Sequence, residues 1–196
     1  MSNYSQLETH IFNKLETELS ASLYYHGLRH TKDVLNTVSV IAATEKVTER
    51  ELALLKAAAL LHDVGFTVQY KNHEEVGCVI ARELLPNYGY APEEVEIICA
   101  IIMATRVPQT PQTLLEEIIC DADLDYLGRA DFEPIARGLF EELKIYIGIT
   151  DEKTWNTLQV NFLQKHQYFR PFGIQQREPF KQAHLAKIKQ WLVENA

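Results

Sequence analysis

The residues best suited to chemistry begin with the pair His62–Asp63, in the segment AALLHDVGF. Strong helix formers precede the pair, Thr48 and Glu51 form a capping box, and Gly65 has the position of a left-handed stop. This pattern predicts a buried helix whose last turn carries both side chains. The carbonyl end of a helix repels a carboxylate, and burying one is costly unless a cation or metal neutralises it. We therefore expect a positive partner for Asp63.

Three further histidines are candidates for metal binding or catalysis. His26 and His30 are four residues apart in YYHGLRHTKDV, so they face the same side if this stretch is helical. His73 lies in NHEEVG, with the acidic Glu74 beside it. Imidazole and carboxylate ligands together suit a catalytic iron, manganese, zinc or nickel ion.

Acidic residues cluster once in a predicted helix interior, in IICDADLDYLG. Asp121 and Asp123, with a third aspartate two positions later, repel one another, and a divalent cation would relieve that repulsion. Structural interpretations exist as well: the aspartates can form a solvated helix end, and Asp63 can pair with Lys71 or Arg29. The ordered combination of histidines and aspartates on separate helices favours the metal site.

Composition limits the class of protein. The 196 residues are 46% hydrophobic and 23% charged, which is typical of one globular domain with a sizeable core. A net charge of −8 argues against a broad nucleic-acid-binding face but leaves room for a small anionic ligand in a cleft. The three cysteines form no C-x-x-C pair, and no signal peptide or membrane-length apolar run is present. These features predict a cytoplasmic protein that binds neither nucleic acid nor membrane.

Helical periodicity extends along most of the chain, without repeats or a long linker. We predict a single all-α domain over residues 1–196. The predicted helices cover approximately residues 7–19, 30–46, 48–63, 73–85, 92–105, 110–128, 131–146 and 150–166, and a last one ends in HLAKIKQWLV.

The ordered motifs resemble the HD-domain superfamily of metal-dependent phosphohydrolases. In that family a histidine, a histidine–aspartate pair and a later aspartate surround a metal, and HTKDV, LLHDVGF and DADLDYLG match these elements. The resemblance implies His30, His62, Asp63 and Asp123 as ligands of one divalent ion (Mn, Fe, Ni, Zn or Mg). Asp123 is preferred to Asp121 because the family's last ligand commonly follows an alanine.

The same resemblance implies the architecture and the reaction. It predicts an HD-type helical bundle with a metal-binding core over about residues 22–130 and C-terminal helices over 131–196. The implied reaction is hydrolysis at phosphorus, in which Asp63 can also accept the proton of the attacking water. Positive charge is needed beside the phosphate. Candidates for that role are Lys32, Arg106, Arg170, Arg177 and Lys181, although basic residues on a last helix commonly form a solvated face.

Two short matches concern subgroups of the family. NHEEVG is similar to a histidine-x-x-x-glycine element of members with two metals, but no histidine lies between His73 and His166, which argues against a complete second site. His73 can instead hold a water or a phosphate oxygen, with Glu74 helping as base. YHGLRH resembles cyclic-nucleotide phosphodiesterases, in which the first histidine protonates the leaving oxygen; His26 would have that role.

Three functions follow. The leading prediction is a metal-dependent phosphohydrolase acting on a nucleotide or other small phosphate ester. The narrower alternative is a cyclic-nucleotide-type phosphodiesterase, which rests on His26. The third is a non-catalytic HD module that binds metal or nucleotide and regulates a partner. The sequence leaves open the substrate, the physiological metal and the oligomeric state.

Overall fold

A computed structural model describes residues 3–196, and within that range all regular structure is helical. The chain forms two compact units, one ending at Asp123 and one beginning at Leu124. The first contains α1 (Tyr4–Glu18), α2 (Leu28–Ala42), α3 (Glu49–Leu61), α4 (His73–Leu84), α5 (Pro92–Ala104) and α6 (Leu114–Asp123). The second contains α7 (Phe132–Tyr146), α8 (Glu152–Lys165), α9 (Pro171–Gln176) and α10 (Glu178–Glu194). The all-α prediction is confirmed, whereas the single domain over residues 1–196 stays a prediction.

The central element of the N-terminal unit is α3. It packs against α1, α2, α4, α5 and α6, and its residues from Ala57 to Leu61 are fully buried. The alanines in this run allow neighbouring backbones to approach closely, while both halves of the Thr48–Glu51 capping box fix the start of the helix. This central position brings the end of α3 into the interior, where the His62–Asp63 pair follows.

The prediction for Gly65 was wrong. Within residues 3–196, the residues with positive φ are Asn72, Gly89 and Gly148, so Gly65 is not a left-handed helix stop. After α3 the chain instead enters a 3-10 turn over Val64–Thr67. A Cβ atom on Gly65 would lie 2.0 Å from the carbonyl oxygen of His73, so a glycine is required here because two backbone segments meet.

The helix predicted to run to Gly128 is also shorter than expected. α6 ends at Asp123, and a separate 3-10 turn covers Asp125–Gly128. Gly128 is not in the left-handed region either, and its Cβ would lie 2.3 Å from the carbonyl oxygen of Arg177. Gly65 and Gly128 were predicted as helix ends because a glycine commonly follows a helix. The structure instead requires a glycine at both positions because a backbone segment distant in sequence approaches closely.

In the C-terminal unit, α10 packs against α8, α9 and the Asp125–Gly128 turn. Contrary to the expectation of a solvated face, Lys181 on α10 is only 1% exposed. No helix within residues 3–196 has both the length and the apolar composition needed to cross a bilayer.

Candidate metal centre

His62 follows the last residue of α3 and is 1% exposed. Its Nδ1 atom lies 2.9 Å from the carbonyl oxygen of Ala59, and a carbonyl can only accept, so Nδ1 carries the hydrogen. The lone pair of the neutral ring is therefore on Nε2. That atom lies 3.2 Å from Nε2 of His30, which projects from the first turn of α2. At this distance the two imidazole nitrogens can share a hydrogen bond, or both can bind one metal ion.

Asp63 and Asp123 contribute carboxylate oxygens to the same point. Asp123, the last residue of α6, places Oδ1 3.0 Å from Nε2 of His30 and 3.7 Å from Nε2 of His62. Asp63 places Oδ2 3.3 Å from Nε2 of His62 and 3.5 Å from Nε2 of His30. Among the described residues this buried Oδ2 atom has no hydrogen-bond partner. The structure thus brings together all four predicted ligands from α2, α6 and the end of α3.

The spacing of these atoms fits one ion. One donor atom each from His30, His62 and Asp123 can be chosen so that all lie within 4.8 Å of one another. Metal–ligand bonds of about 2.1 Å place adjacent ligands about 3.0 Å apart in an octahedron and about 3.4 Å apart in a tetrahedron. Imidazole nitrogen and carboxylate oxygen are also the donors that divalent transition metals accept. Oδ2 of Asp63 is buried and has no hydrogen-bond partner within residues 3–196, which is consistent with a cation between the four side chains.

The electrostatics of the metal-free cluster agree with this fit. Burial acts to lower the pKa of His62, but the Asp63 carboxylate, with Asp123 further away, raises it to about 9. Burial acts to raise the pKa of Asp63, yet the imidazoles of His62, His26 and His30 hold that pKa well below its usual range. Asp63 therefore stays ionised, while the proton on His62 supplies positive charge that a metal can replace.

His73 and Glu74 lie at one side of this cluster, at the start of α4. Nε2 of His73 is 3.5 Å from Oδ1 of Asp63 and 3.7 Å from Oε1 of Glu74. Burial lowers the pKa of His73, and the two carboxylates oppose that effect. Arg106 forms ion pairs with Glu74, at 3.5 Å, and with Glu75. The predicted phosphate-binding candidate Arg106 is therefore next to the candidate base Glu74, and the catalytic roles of both stay predictions.

His26 is close to the cluster through ring contacts. Its ring packs against Phe66, with centroids 4.4 Å apart, and lies 6.1 Å from the rings of both His30 and His73. Phe66 also packs against His73, at 3.9 Å. Phe66 was missed in the sequence analysis, although it follows the HDVG motif directly and could have been noticed from that position.

Lys32, another predicted phosphate-binding residue of the N-terminal unit, is not directed at the cluster. Lys32 is exposed, and its ammonium group lies 5.0 Å from the ring centre of Phe12 on α1. Two residues on a helix correspond to a rotation of about 200°, so Lys32 projects away from His30. A contact of Lys32 with the phosphate stays a prediction, and it requires the side chain to turn away from Phe12.

Within the C-terminal unit, two of the predicted cations are already paired. Arg177 donates from Nε to Oδ1 of Asp125 at 2.6 Å. Lys181 donates to the carbonyl oxygen of His166 at 2.6 Å and to Glu178 at 2.8 Å. A role of Arg177 or Lys181 in phosphate binding stays a prediction, and it requires these contacts to open.

The sequence matches the HD domain family over residues 27–125, which is half of the chain, and the protein belongs to that family. The matched range includes α2 to α6 and all four predicted ligands. Proteins with this domain are generally metal-dependent hydrolases that bind divalent ions.

An uncharacterized protein of Clostridium beijerinckii (strain ATCC 51743 / NCIMB 8052) is 36% identical over 84 residues, which are 41% of this chain and 53% of that protein. The chain thus spans about half the length of this curated relative. No solved structure matches significantly.

Proposed function

We propose that the protein is a metal-dependent phosphohydrolase that acts on a nucleotide or another small phosphate ester. The observation that carries this proposal is the convergence of Nε2 of His30, Nε2 of His62 and Oδ1 of Asp123, with Oδ2 of Asp63 beside them. These four side chains come from α2, α6 and the end of α3. Their own hydrogen bonds leave Oδ2 of Asp63 without a partner among the described residues, and a bound cation would supply that partner.

Each residue would have a distinct role. His30, His62, Asp63 and Asp123 would hold one divalent ion, which supplies Lewis-acid chemistry: it polarises a phosphoryl oxygen and makes water more acidic. Asp63 has a second oxygen, Oδ1, directed to His73, and a carboxylate in this position can accept the proton of the attacking water. The pair Glu74–Arg106 would orient His73 and bring positive charge toward the phosphate.

A phosphodiesterase-type reaction is a second candidate, favoured by His26. Its ring is 6.1 Å from that of His30, so it is close enough to donate a proton to an ester oxygen near the metal site. The third candidate, a non-catalytic regulatory module, retains the metal but turns over no substrate. The net charge of −8 supports a small phosphorylated substrate over nucleic acid, and three free, buried thiols support a reducing, cytoplasmic location.

The test is a substrate panel with metal-stripped protein reloaded with Mn, Fe, Ni, Zn or Mg in turn. The panel contains mononucleotides, cyclic nucleotides and sugar phosphates. Release of phosphate or nucleoside is measured for the monoesters, and formation of nucleoside monophosphate is measured for the cyclic nucleotides. We expect turnover with at least one metal, loss of turnover in His62→Gln, and retention in His10→Gln, a matched change at an exposed histidine. Metal binding without turnover of any substrate would instead support the regulatory module.

A further inference from the structure

A cleft in the C-terminal unit lies between α7, α8 and α10, outside the residues that match the HD family. Part of its wall is aromatic. Both tryptophans of the chain, Trp155 and Trp191, line it, and so do Phe132 and His184, whose rings stack with centroids 4.6 Å apart. Flat aromatic walls favour a flat ligand because ring stacking adds to the burial of apolar area.

The rim of the cleft offers a hydrogen-bonding edge. The side-chain amide of Gln159 donates to Oδ1 of Asn156 at 2.9 Å, and both residues line the cleft. Neither side chain makes another hydrogen bond within residues 3–196, so one amide donor and one amide acceptor are left over. This remains true if both amides are turned over, because an amide pair always uses one donor and one acceptor. An amide donor and an amide acceptor in one cleft can pair with the acceptor and donor groups on the edge of a nucleobase.

Charge and size narrow the ligand further. Glu133 and Glu152 are balanced by Arg137 and Lys187 among the lining residues, and Arg137 is paired with Glu152 at 2.8 Å. The cleft therefore has no excess of positive charge for a phosphate. Its volume is about 240 Å³, whereas pockets for drug-sized ligands hold about 300–1,000 Å³. This volume suits a ligand with a single ring system.

We propose that this cleft binds an uncharged nitrogen heterocycle of the nucleobase type, packed against the aromatic side chains and recognised by the Asn156–Gln159 amide pair. A ribose attached to the base would extend out of the cleft. The site is separate from the candidate metal centre and does not depend on the proposed phosphohydrolase activity.

The test uses the full chain with chelator present, so that the metal centre does not contribute. Because both tryptophans line the cleft, intrinsic fluorescence reports occupancy directly. Adenine, hypoxanthine, uracil and adenosine are titrated, with toluene as a ring lacking a hydrogen-bonding edge and ribose 5-phosphate as a ligand lacking a base. We expect saturable quenching by at least one base and its absence with both comparison ligands. Equal binding of toluene would overturn the proposal and leave only an apolar groove, as would the absence of saturation with every base.

Two variants test the amide pair. Asn156→Leu should weaken base binding roughly tenfold, the loss of about one hydrogen bond, while Gln164→Leu, the same kind of change at an exposed position of α8, should leave it unchanged. Asn156→Asp keeps an acceptor for Gln159 but removes the free donor, so it decides the matter if the leucine variant does not fold. Equal affinity in Asn156→Asp and the parent would overturn the proposal. Asp63→Ala should retain base binding, which distinguishes this site from the metal centre.

Discussion

His62 donates its Nδ1 hydrogen to the carbonyl oxygen of Ala59, one turn back along α3. This contact fixes both the tautomer and the direction of the ring, so that Nε2 faces the carboxylates of Asp63 and Asp123. A ligand held in this way loses little side-chain freedom when an ion binds. The backbone of α3 is therefore part of the candidate metal centre.

We expect the purified protein to hold close to one transition-metal ion per chain. Asp63→Ala should lose it, because the substitution removes an ionised ligand from a buried site. Elemental analysis of the parent and the variant measures this, with Asp151→Ala at the start of α8 as a control for the loss of an aspartate. A parent protein without metal after reloading would contradict the assignment of the site.

The metal-free protein should lose stability as the pH rises. In the folded state the pKa of His62 is raised to about 9, chiefly because the charge of Asp63 outweighs the opposing effect of burial. The protonated ring therefore stabilises the fold fully below the unfolded value near 6.5, and this contribution disappears as the pH rises through 9. Asp63, with its lowered pKa, is ionised throughout this range.

The free energy of unfolding of the metal-free protein should decrease by about 3 kcal/mol between pH 6.5 and pH 9.5. Urea unfolding with chelator present at the two pH values measures it. His62→Gln should lose most of this dependence, whereas His10→Gln should keep it. The same decrease in His62→Gln would show that another group is responsible.

Substitution of Asp123 should affect metal binding, whereas substitution of Asp121 should mainly affect stability. Asp123 has Oδ1 3.0 Å from Nε2 of His30, while Asp121 is two residues earlier on α6 and only 1% exposed. Asp123→Ala should abolish metal binding. Asp121→Ala should mainly lower the melting temperature and leave most metal binding in the folded protein, as calorimetric titration can measure. Equal loss of metal in both variants would place Asp121 in the site.

Substitutions of His26 and His30 should have different effects on the hydrolysis of esters with good and poor leaving groups. His30→Ala should lose metal and activity together. His26→Ala should keep its metal but hydrolyse esters with poor leaving groups roughly 10²- to 10⁴-fold more slowly, because a general acid is missing. Nitrophenyl phosphates need little protonation and should be affected much less. Steady-state rates on both ester types decide this, and equal slowing of the two would remove the support for the phosphodiesterase-type reaction.

The sequence predicted α3, and it indicated four candidate ligands that the structure brings close together, because those signals are local. The Thr48–Glu51 capping box and the apolar run are contiguous, and the ligand motifs have fixed spacing. The features that the sequence did not predict depend on contacts between residues that are distant in sequence. Lys181 was expected at a solvated surface, yet it is buried beside His166 and Glu178, and Lys32 is turned toward Phe12. Amphipathic periodicity indicates which side of a helix is apolar but does not identify the partner that faces a charged residue.

The contact at Gly65 offers a way to separate geometry from chemistry. Its missing side chain allows the 3-10 turn after Asp63 to touch the backbone at His73. A methyl group at this position would clash with the backbone of His73 and increase the distance between Asp63 and His73. Every ionisable group would remain in the chain. Gly65→Ala would thus have the same proton-binding groups and a different distance between two of them. The glycine at position 65 therefore allows the backbone segments that carry Asp63 and His73 to approach each other closely.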